Sequence, residues 1–166
     1  MYIRELLSQP RVLLDLQATD KKQLFELLGQ ILCAGAALPT AQQAAQALLA
    51  RERLGSTGVG AGVALPHGRV KGLEQPVGAF CTLRSALDYD AIDRKPVNMV
   101  FALLVPEHAT DEHLKILAEL AGLFNNKAWR GQLAEAKTPE ELYTRLIRPL
   151  PAADPHDTEA NHARSV

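Results

Sequence analysis

The chain has 166 residues, 47% of them hydrophobic, and its 18 basic and 19 acidic side chains leave a formal charge of −1. That length supports one buried core rather than two, and the near-neutral balance argues against a nucleic-acid-binding surface as the main purpose. No apolar run approaches the ~20 residues that span a bilayer, so no membrane insertion is expected. The start, Met1 to Leu7, lacks the apolar stretch of a signal peptide. Cys33 and Cys81 lie on apolar segments without C-x-x-C spacing, which reads as two reduced core thiols of a cytoplasmic protein.

Helical and strand patterns alternate along the chain. From Lys21 to Ala36, Leu24, Leu27, Leu28, Ile31 and Leu32 recur at helical spacing, with Thr19 or Asp20 as N-cap and Gly35 and Pro39 punctuating the end. Thr40 caps a second, alanine-rich helix to about Arg53, with Ala44, Ala47 and Leu48 on its apolar face and Gly55 beyond its end. Val77 to Leu83 and Val97 to Val105 are apolar runs bounded by turn signals, the pattern of buried strands. Thr110 starts a further helix, whose inner face is expected to hold Leu114, Leu117, Leu120 and Ala121. Thr138-Pro139-Glu140-Glu141 combines an N-cap, an N1 proline and a capping-box glutamate, opening a last helix that ends by Arg148-Pro149. Residues 1–148 thus form one domain. Residues 149–166, proline-bearing and poor in apolar side chains, read as a disordered tail. Interleaved helices and buried strands predict an α/β sandwich with helices on both faces of the sheet.

The most informative stretch runs from Arg51 to Val70. Glycines 55, 58, 60 and 62 open the backbone, Val63-Ala64-Leu65 dive toward a core, and Pro66-His67-Gly68 follows. Proline fixes its own φ and biases Leu65 toward an extended conformation, while Gly68 is expected to remove bulk beside the imidazole. A histidine held rigidly near a loop rich in N–H and hydroxyl donors suits an anion that comes and goes. Neutral imidazole is a nitrogen nucleophile near pH 7. Attack on a phosphoryl donor gives a phosphoramidate reactive enough to pass its group on, whereas a serine would give a stable ester. Phosphoryl transfer asks mostly for positioning and charge stabilisation. One ring nitrogen attacks, so the other must be fixed, most economically by a backbone carbonyl. His67 is therefore read as a phosphoryl acceptor.

Other polar side chains are candidates to support it. His113 falls at the third position of the helix that Thr110 begins, where free N–H groups and the helix dipole favour an anion, and a neutral ring there can donate to a phosphoryl oxygen. Arg51 can clamp phosphate oxygens bidentately. Arg53 points roughly 200° away around the same helix, so both cannot serve equally. Ser56 and Thr57 offer hydroxyls in a loop whose N–H groups can converge on phosphate, with simple turn chemistry as the alternative. The Gly55-x-x-Gly58-x-Gly60 spacing lacks the lysine of a nucleotide loop and the element order of a dinucleotide fingerprint. Asp88, Asp90 and Asp93 lack the pattern of a calcium loop and read as a solvated turn. His108 and His113, five residues apart, make a poor metal pair, and His108 is given no role. No carboxylate is identifiable to orient a hydrolase built on Ser56 and His67.

Gly55-Ser56-Thr57-Gly58-Val59-Gly60-x-Gly62-Val63-Ala64-Leu65-Pro66-His67-Gly68 resembles the active-site signature of the enzyme IIA proteins of the phosphoenolpyruvate:sugar phosphotransferase system, in the mannitol/fructose/nitrogen-regulatory class. Asp90-Ala91-Ile92-Asp93 with Pro96-Val97, Phe101 to Pro106, and His113-Leu114 with Leu117 extend the resemblance to residues 5 to 147. Pro66-His67-Gly68 and the preceding Arg51-Glu52-Arg53-Leu54 are most similar to the stand-alone nitrogen-regulatory subtype. The resemblance implies a five-stranded mixed sheet with the phosphorylated histidine at one edge, and phosphorylation of His67 at Nε2. It also implies His113 beside it and Arg51 close by, with no cofactor and no metal. The implied donor is an HPr-like phosphocarrier, and the implied targets include potassium-transport and sensor-kinase proteins. A sugar-specific enzyme IIA serving a transporter IIB domain, or a non-phosphorylated interaction module of the same fold, are the alternatives.

Overall fold

The structure, a computed structural model, describes residues 3–34, 39–109 and 111–148. A short helix α1 (Ile3–Leu6) and a 3-10 turn (Gln9–Arg11) lead into β1 (Val12–Leu16), then α2 (Lys21–Leu32) and α3 (Ala41–Glu52). Three short strands follow, β2 (Gly58–Gly60), β3 (Val63–Ala64) and β4 (His67–Val70), before the long β5 (Val77–Leu87) and β6 (Val97–Pro106). Helices α4 (Asp111–Phe124), α5 (Lys127–Ala134) and α6 (Pro139–Ile147) close the described part of the chain.

The sheet is mixed, in the order β1-β5-β6-β3-β2, with β4 also pairing β6. β3 and β4 lie on the same side of β6, both parallel to it, at Met99–Val100 and Leu103–Pro106 respectively. They are one strand line broken at Leu65-Pro66, so the sheet has five positions built from six segments. The break has a cause in proline, which has no N–H to give to a ladder; only its carbonyl pairs, accepting from Leu103 N at 2.9 Å.

Side chains alternate across β6, as strand geometry requires, and divide the core. Met99, Phe101, Leu103 and Val105 face the layer of α1, α4, α5 and α6, where Phe80, Phe101, Phe124 and Trp129 pack ring on ring. Val100, Ala102 and Leu104 face α2 and α3 through Leu24, Phe25, Leu28, Leu32, Ala44 and Leu48, joined by Val97, which lies beyond a register shift at the start of β6. Helices therefore cover both faces, as the pattern predicts.

The caps follow the sequence where it was explicit. Asp20, rather than Thr19, caps α2, its side chain accepting from Gln23 N at 2.7 Å. Thr40 and Gln43 form a complete capping box on α3. Thr138 caps α6, but Glu141 reaches back past it to the N–H of Lys137, one residue beyond the cap. Helix α2 stops at Leu32, with Cys33 as C-cap and its Sγ–H donating to Pro39 O, so Cys33 is half-buried. Cys81 is fully buried in β5, and burial pushes its thiol up to about 12. Both cysteines are free.

One face was misread. On α4 the buried positions are His113, Ile116, Leu120 and Phe124, whereas Leu114 is 60% exposed and Ala121 is exposed. Leu120 is buried and Leu117 half-buried against the core as expected. The stripe nevertheless runs through His113 and Ile116 rather than Leu114 and Ala121, because His113, a polar residue, opens the buried face. Thr110 as the cap of α4, Gly35 as a helix stop and the tail from 149 onward lie outside the described residues. Among the described residues, no helix is long and apolar enough to cross a membrane.

Candidate functional site

His67 opens β4, which pairs with β6 on one side at the edge of the sheet. Its neighbour Gly68 faces the opposite way. A Cβ there would meet the backbone carbonyl carbon and oxygen of Ala47 at 2.7 Å, so the missing side chain makes room for α3. The sequence expectation that Gly68 clears space beside the imidazole is thus replaced: glycine is needed so that α3 can lie against β4. That close approach sets the end of α3, with Arg51 and Glu52, beside the histidine.

The His67 ring is half-buried, and Nδ1 lies 3.0 Å from the carbonyl oxygen of Leu65. A carbonyl only accepts, so Nδ1 carries the proton, and in the neutral ring Nε2 is left with its lone pair. Burial is the largest influence on this imidazole and lowers its pKa below the ordinary histidine value. The positive charge of Arg51 and the neighbouring His113 act in the same direction, while the Leu65 hydrogen bond and Glu52 oppose it. The nucleophilic form is therefore favoured at neutral pH.

His113 comes from the other layer. Its ring centroid is 6.4 Å from that of His67, at an interplanar angle of 37°. The residue is only 8% exposed, and its Nδ1 is buried with no hydrogen-bond partner among the described residues. A buried nitrogen without a partner costs on the order of 1–3 kcal/mol. The structure thus brings the two histidines together from segments 46 positions apart.

Arg51, half-buried on the last turn of α3, donates from Nη1 to Gly55 O at 3.0 Å. Arg53, its C-cap, is exposed. Two further candidates are occupied within the protein. The hydroxyl of Ser56 donates to Tyr89 O at 3.2 Å and accepts from Gly58 N at 3.2 Å. Thr57 is 5% exposed, and its hydroxyl and N–H are bound to the carboxylate of Glu52. The glycine segment is also no open loop. Gly58–Gly60 is strand β2, and Gly60, Ala61 and Gly62, all at positive φ, turn it into β3. The Ala61 N–H at that turn donates to Asp93 Oδ2 at 3.0 Å, so Asp93, while exposed, holds the hairpin.

Sequence reasoning missed the group beneath the site. The Glu52 side chain, 6% exposed, pairs with Lys21 Nζ at 2.8 Å and accepts from Thr57. Tyr89, fully buried between Asp88 and Asp90, sits with its hydroxyl 2.8 Å from Thr57 Oγ1 and 3.4 Å from Glu52 Oε2. Burial and the Glu52 carboxylate push that phenol's pKa up. Lys21 lies 4.4 Å over the Tyr89 ring. The only sequence signal was a carboxylate at the end of a helix leading into a glycine segment; Lys21, 31 positions away, gave none.

Comparison with known proteins decides the family. Residues 5–148 match the family model for the phosphoenolpyruvate-dependent sugar phosphotransferase system, EIIA 2. The chain belongs to this family. A Pseudomonas aeruginosa nitrogen regulatory protein is 38% identical over 145 residues, 87% of this chain and 94% of that protein. The crystal structure of nitrogen regulatory protein IIA-Ntr from Neisseria meningitidis superposes with a TM-score of 0.80 at 44% identity, covering 87% of this chain and 98% of that one. The Escherichia coli mannitol IIA structure shares the fold at a TM-score of 0.71 and 22% identity, over 84% and 98% of the two chains. The resemblance drawn from the motif holds for this EIIA chain, and its mixed sheet agrees with the expected architecture.

Proposed function

We propose that this EIIA protein is a regulatory phosphocarrier that accepts a phosphoryl group on His67 Nε2 from the phosphohistidine of an HPr-like protein. The observation that carries the reading is the bond between His67 Nδ1 and Leu65 O, which directs the lone pair to Nε2. In the transfer, that lone pair attacks phosphorus, the donor's P–N bond breaks, and the donor nitrogen keeps the bonding electrons. The proton on Nδ1 stays in its bond to Leu65. His113 donates to an equatorial phosphoryl oxygen, and Arg51, on the α3 side, offsets the anionic charge. Most of the catalysis is positioning and charge stabilisation.

The regulatory outlet is supported by relatives that carry the name nitrogen regulatory protein. A phosphoryl group brings about −1.5 to −2 charges at pH 7. Four large apolar side chains, Leu54, Val59, Ile92 and Leu114, are exposed on segments that carry or adjoin site residues. A partner seated on them over the His67 rim would meet an apolar patch in one state and a fixed anion in the other. Potassium-transport and sensor-kinase proteins are partners of this kind, by analogy with the family.

Incubation with phosphoenolpyruvate, enzyme I and an HPr-like donor tests the reading through acid-labile phosphate. Wild-type protein is expected to take up one equivalent and His67→Ala none, with unchanged circular dichroism. Undiminished label on His67→Ala would overturn it.

A further inference from the structure

A continuous hydrogen-bonded path joins the buried ion pair to the histidine. Lys21 Nζ binds Glu52 Oε1 at 2.8 Å, and both oxygens of Glu52 accept from Thr57 N, at 3.1 and 3.2 Å. Thr57 O accepts from Leu65 N at 2.9 Å, and Leu65 O meets His67 Nδ1 at 3.0 Å. Two residues, Thr57 and Leu65, each held at both its N–H and its C=O, thus lie between one carboxylate and the nucleophile. Thr57 Oγ1 and the Tyr89 hydroxyl close the remaining space around that carboxylate.

We infer that Glu52 is a positioning residue for phosphoryl acceptance: through Thr57 and Leu65 it fixes the carbonyl that selects the Nδ1–H tautomer of His67. The inference rests on the reading of His67 as acceptor, but it makes a claim about the resting ring that needs no donor.

Stability alone does not account for this arrangement. A buried ion pair commonly contributes less than apolar packing of the same volume, because both ions are taken out of water. What three converging donors, Lys21 Nζ, Thr57 N and Thr57 Oγ1, do supply is a single geometry, with the Tyr89 hydroxyl packed behind Thr57 Oγ1. The carboxylate ties the end of α3 to the segment entering β2, which is otherwise held by the short β2–β3 pairing, the Ser56 hydroxyl on Gly58 N and Asp93 at the hairpin. Without the Thr57 anchor, Leu65 loses the N–H bond that holds in place the residue whose carbonyl meets His67. A nucleophile displaced by about 1 Å can lose on the order of 10²-fold in rate.

The charges also give a sign that a merely structural contact would not. The groups acting on His67 are Arg51 and Glu52 from α3 and His113 from α4. Glu52→Gln leaves Lys21 and Arg51 unopposed and should lower the His67 midpoint. Lys21→Gln leaves the Glu52 charge less compensated and should raise it.

The experiment is 15N-resolved NMR of the His67 imidazole in the full, unphosphorylated chain across a pH titration, paired with single-turnover transfer from a phosphorylated HPr-like donor. Wild type should show a protonated Nδ1 and an unprotonated Nε2 above the midpoint. Glu52→Gln should mix the tautomers, lower the midpoint and slow transfer about ten- to a hundredfold. Lys21→Gln, whose side chain is partly exposed and whose loss threatens the fold less, should raise the midpoint. A single wild-type tautomer with wild-type transfer in Glu52→Gln overturns the inference. Should that variant not fold, a Lys21→Gln midpoint equal to wild type overturns it instead. Tautomer mixing in Glu52→Gln, in a protein whose wild type takes no phosphate at all, would support the relay and remove the phosphocarrier reading.

Discussion

The two sides of the His67 ring are built in opposite ways. On the α3 side polar groups are engaged: Arg51 on Gly55 O, Glu52 on Lys21 and Thr57, Ser56 on Tyr89 O. On the α4 side His113 is buried with its Nδ1 unpartnered among the described residues. An engaged network holds a geometry, while a buried nitrogen without a partner is left unstabilised. In the proposed function, one side orients the nucleophile and the other supplies a donor to the phosphoryl group.

Removing that donor should have the largest effect after loss of His67 itself. Losing one positioned donor to developing negative charge costs on the order of 10²- to 10³-fold in rate, so His113→Ala should slow single-turnover transfer by that much without abolishing it. His113→Gln should recover part of the loss, because an amide donates without needing a particular tautomer. Wild-type transfer by His113→Ala would make His113 a core residue of α4 and erase the contrast between the two sides.

Arg51 tests whether the engaged side also handles charge. Arg51→Lys should slow transfer about tenfold, since a point charge cannot reproduce a planar fork that holds Gly55 O and phosphate oxygens together. Arg51→Gln removes a positive neighbour that lowers the His67 pKa, so its midpoint should rise. In wild type the depressed pKa sets the pH profile: acceptance should stay level as pH falls through about 6.5, the free-imidazole value, and decline only below it. The same depression makes a stability contribution that is complete above the unfolded-state pKa and is lost as pH falls through the folded one. A profile breaking at or above the free value would show that His67 is not desolvated in solution.

How far these features were readable from sequence follows from the range of the interactions. The caps Thr40 and Thr138 act over three residues, and the apolar runs of β5 and β6 announce buried strands, so both were legible. His67 was legible because proline, histidine and glycine are adjacent. The role of Gly68 was not, because its close contact is with Ala47 of α3. The Glu52–Lys21–Tyr89 group was hidden for the same reason, its members being joined only by the packing of α2 on α3 and of the segment after β5. The stripe on α4 failed differently: a hydrophobicity count cannot see that a histidine belongs to the buried face when its partner is another histidine. Ser56 and Thr57 were noticed as hydroxyls, but their partners Tyr89 and Glu52 lie beyond local reach.

Gly68→Ala would strain the engaged side without touching a polar group. The added Cβ meets main-chain atoms of Ala47 at 2.7 Å, and backbone yields less readily than the tip of a side chain. Overpacking of this kind costs about 1–3 kcal/mol, which chemical denaturation would register. Moving β4 off α3 should also separate His67 from Arg51 and slow transfer. Full stability and full transfer together would show that α3 can shift freely, and that the site does not depend on this contact.

The smallest effect on folding is expected at Leu114, which lies one residue from His113 yet points the other way. With 60% of its surface exposed, Leu114→Ser should change stability by no more than about 0.5 kcal/mol. Leu120→Ala, on the buried face of the same helix, should cost about 2–5 kcal/mol. Equal losses for the two would restore the leucine-defined face and contradict the burial of His113. If the contrast holds, Leu114 is free for a partner's surface, and its loss should appear in protein contact and not in chemistry. Transfer from the HPr-like donor should then show a raised KM with an unchanged maximal rate, because Leu114 contributes to docking and makes no contact with the phosphoryl group. A fall in maximal rate with KM unchanged would instead mean that Leu114 steers His113, and the boundary between the docking rim and the donor side would have to be redrawn to include it.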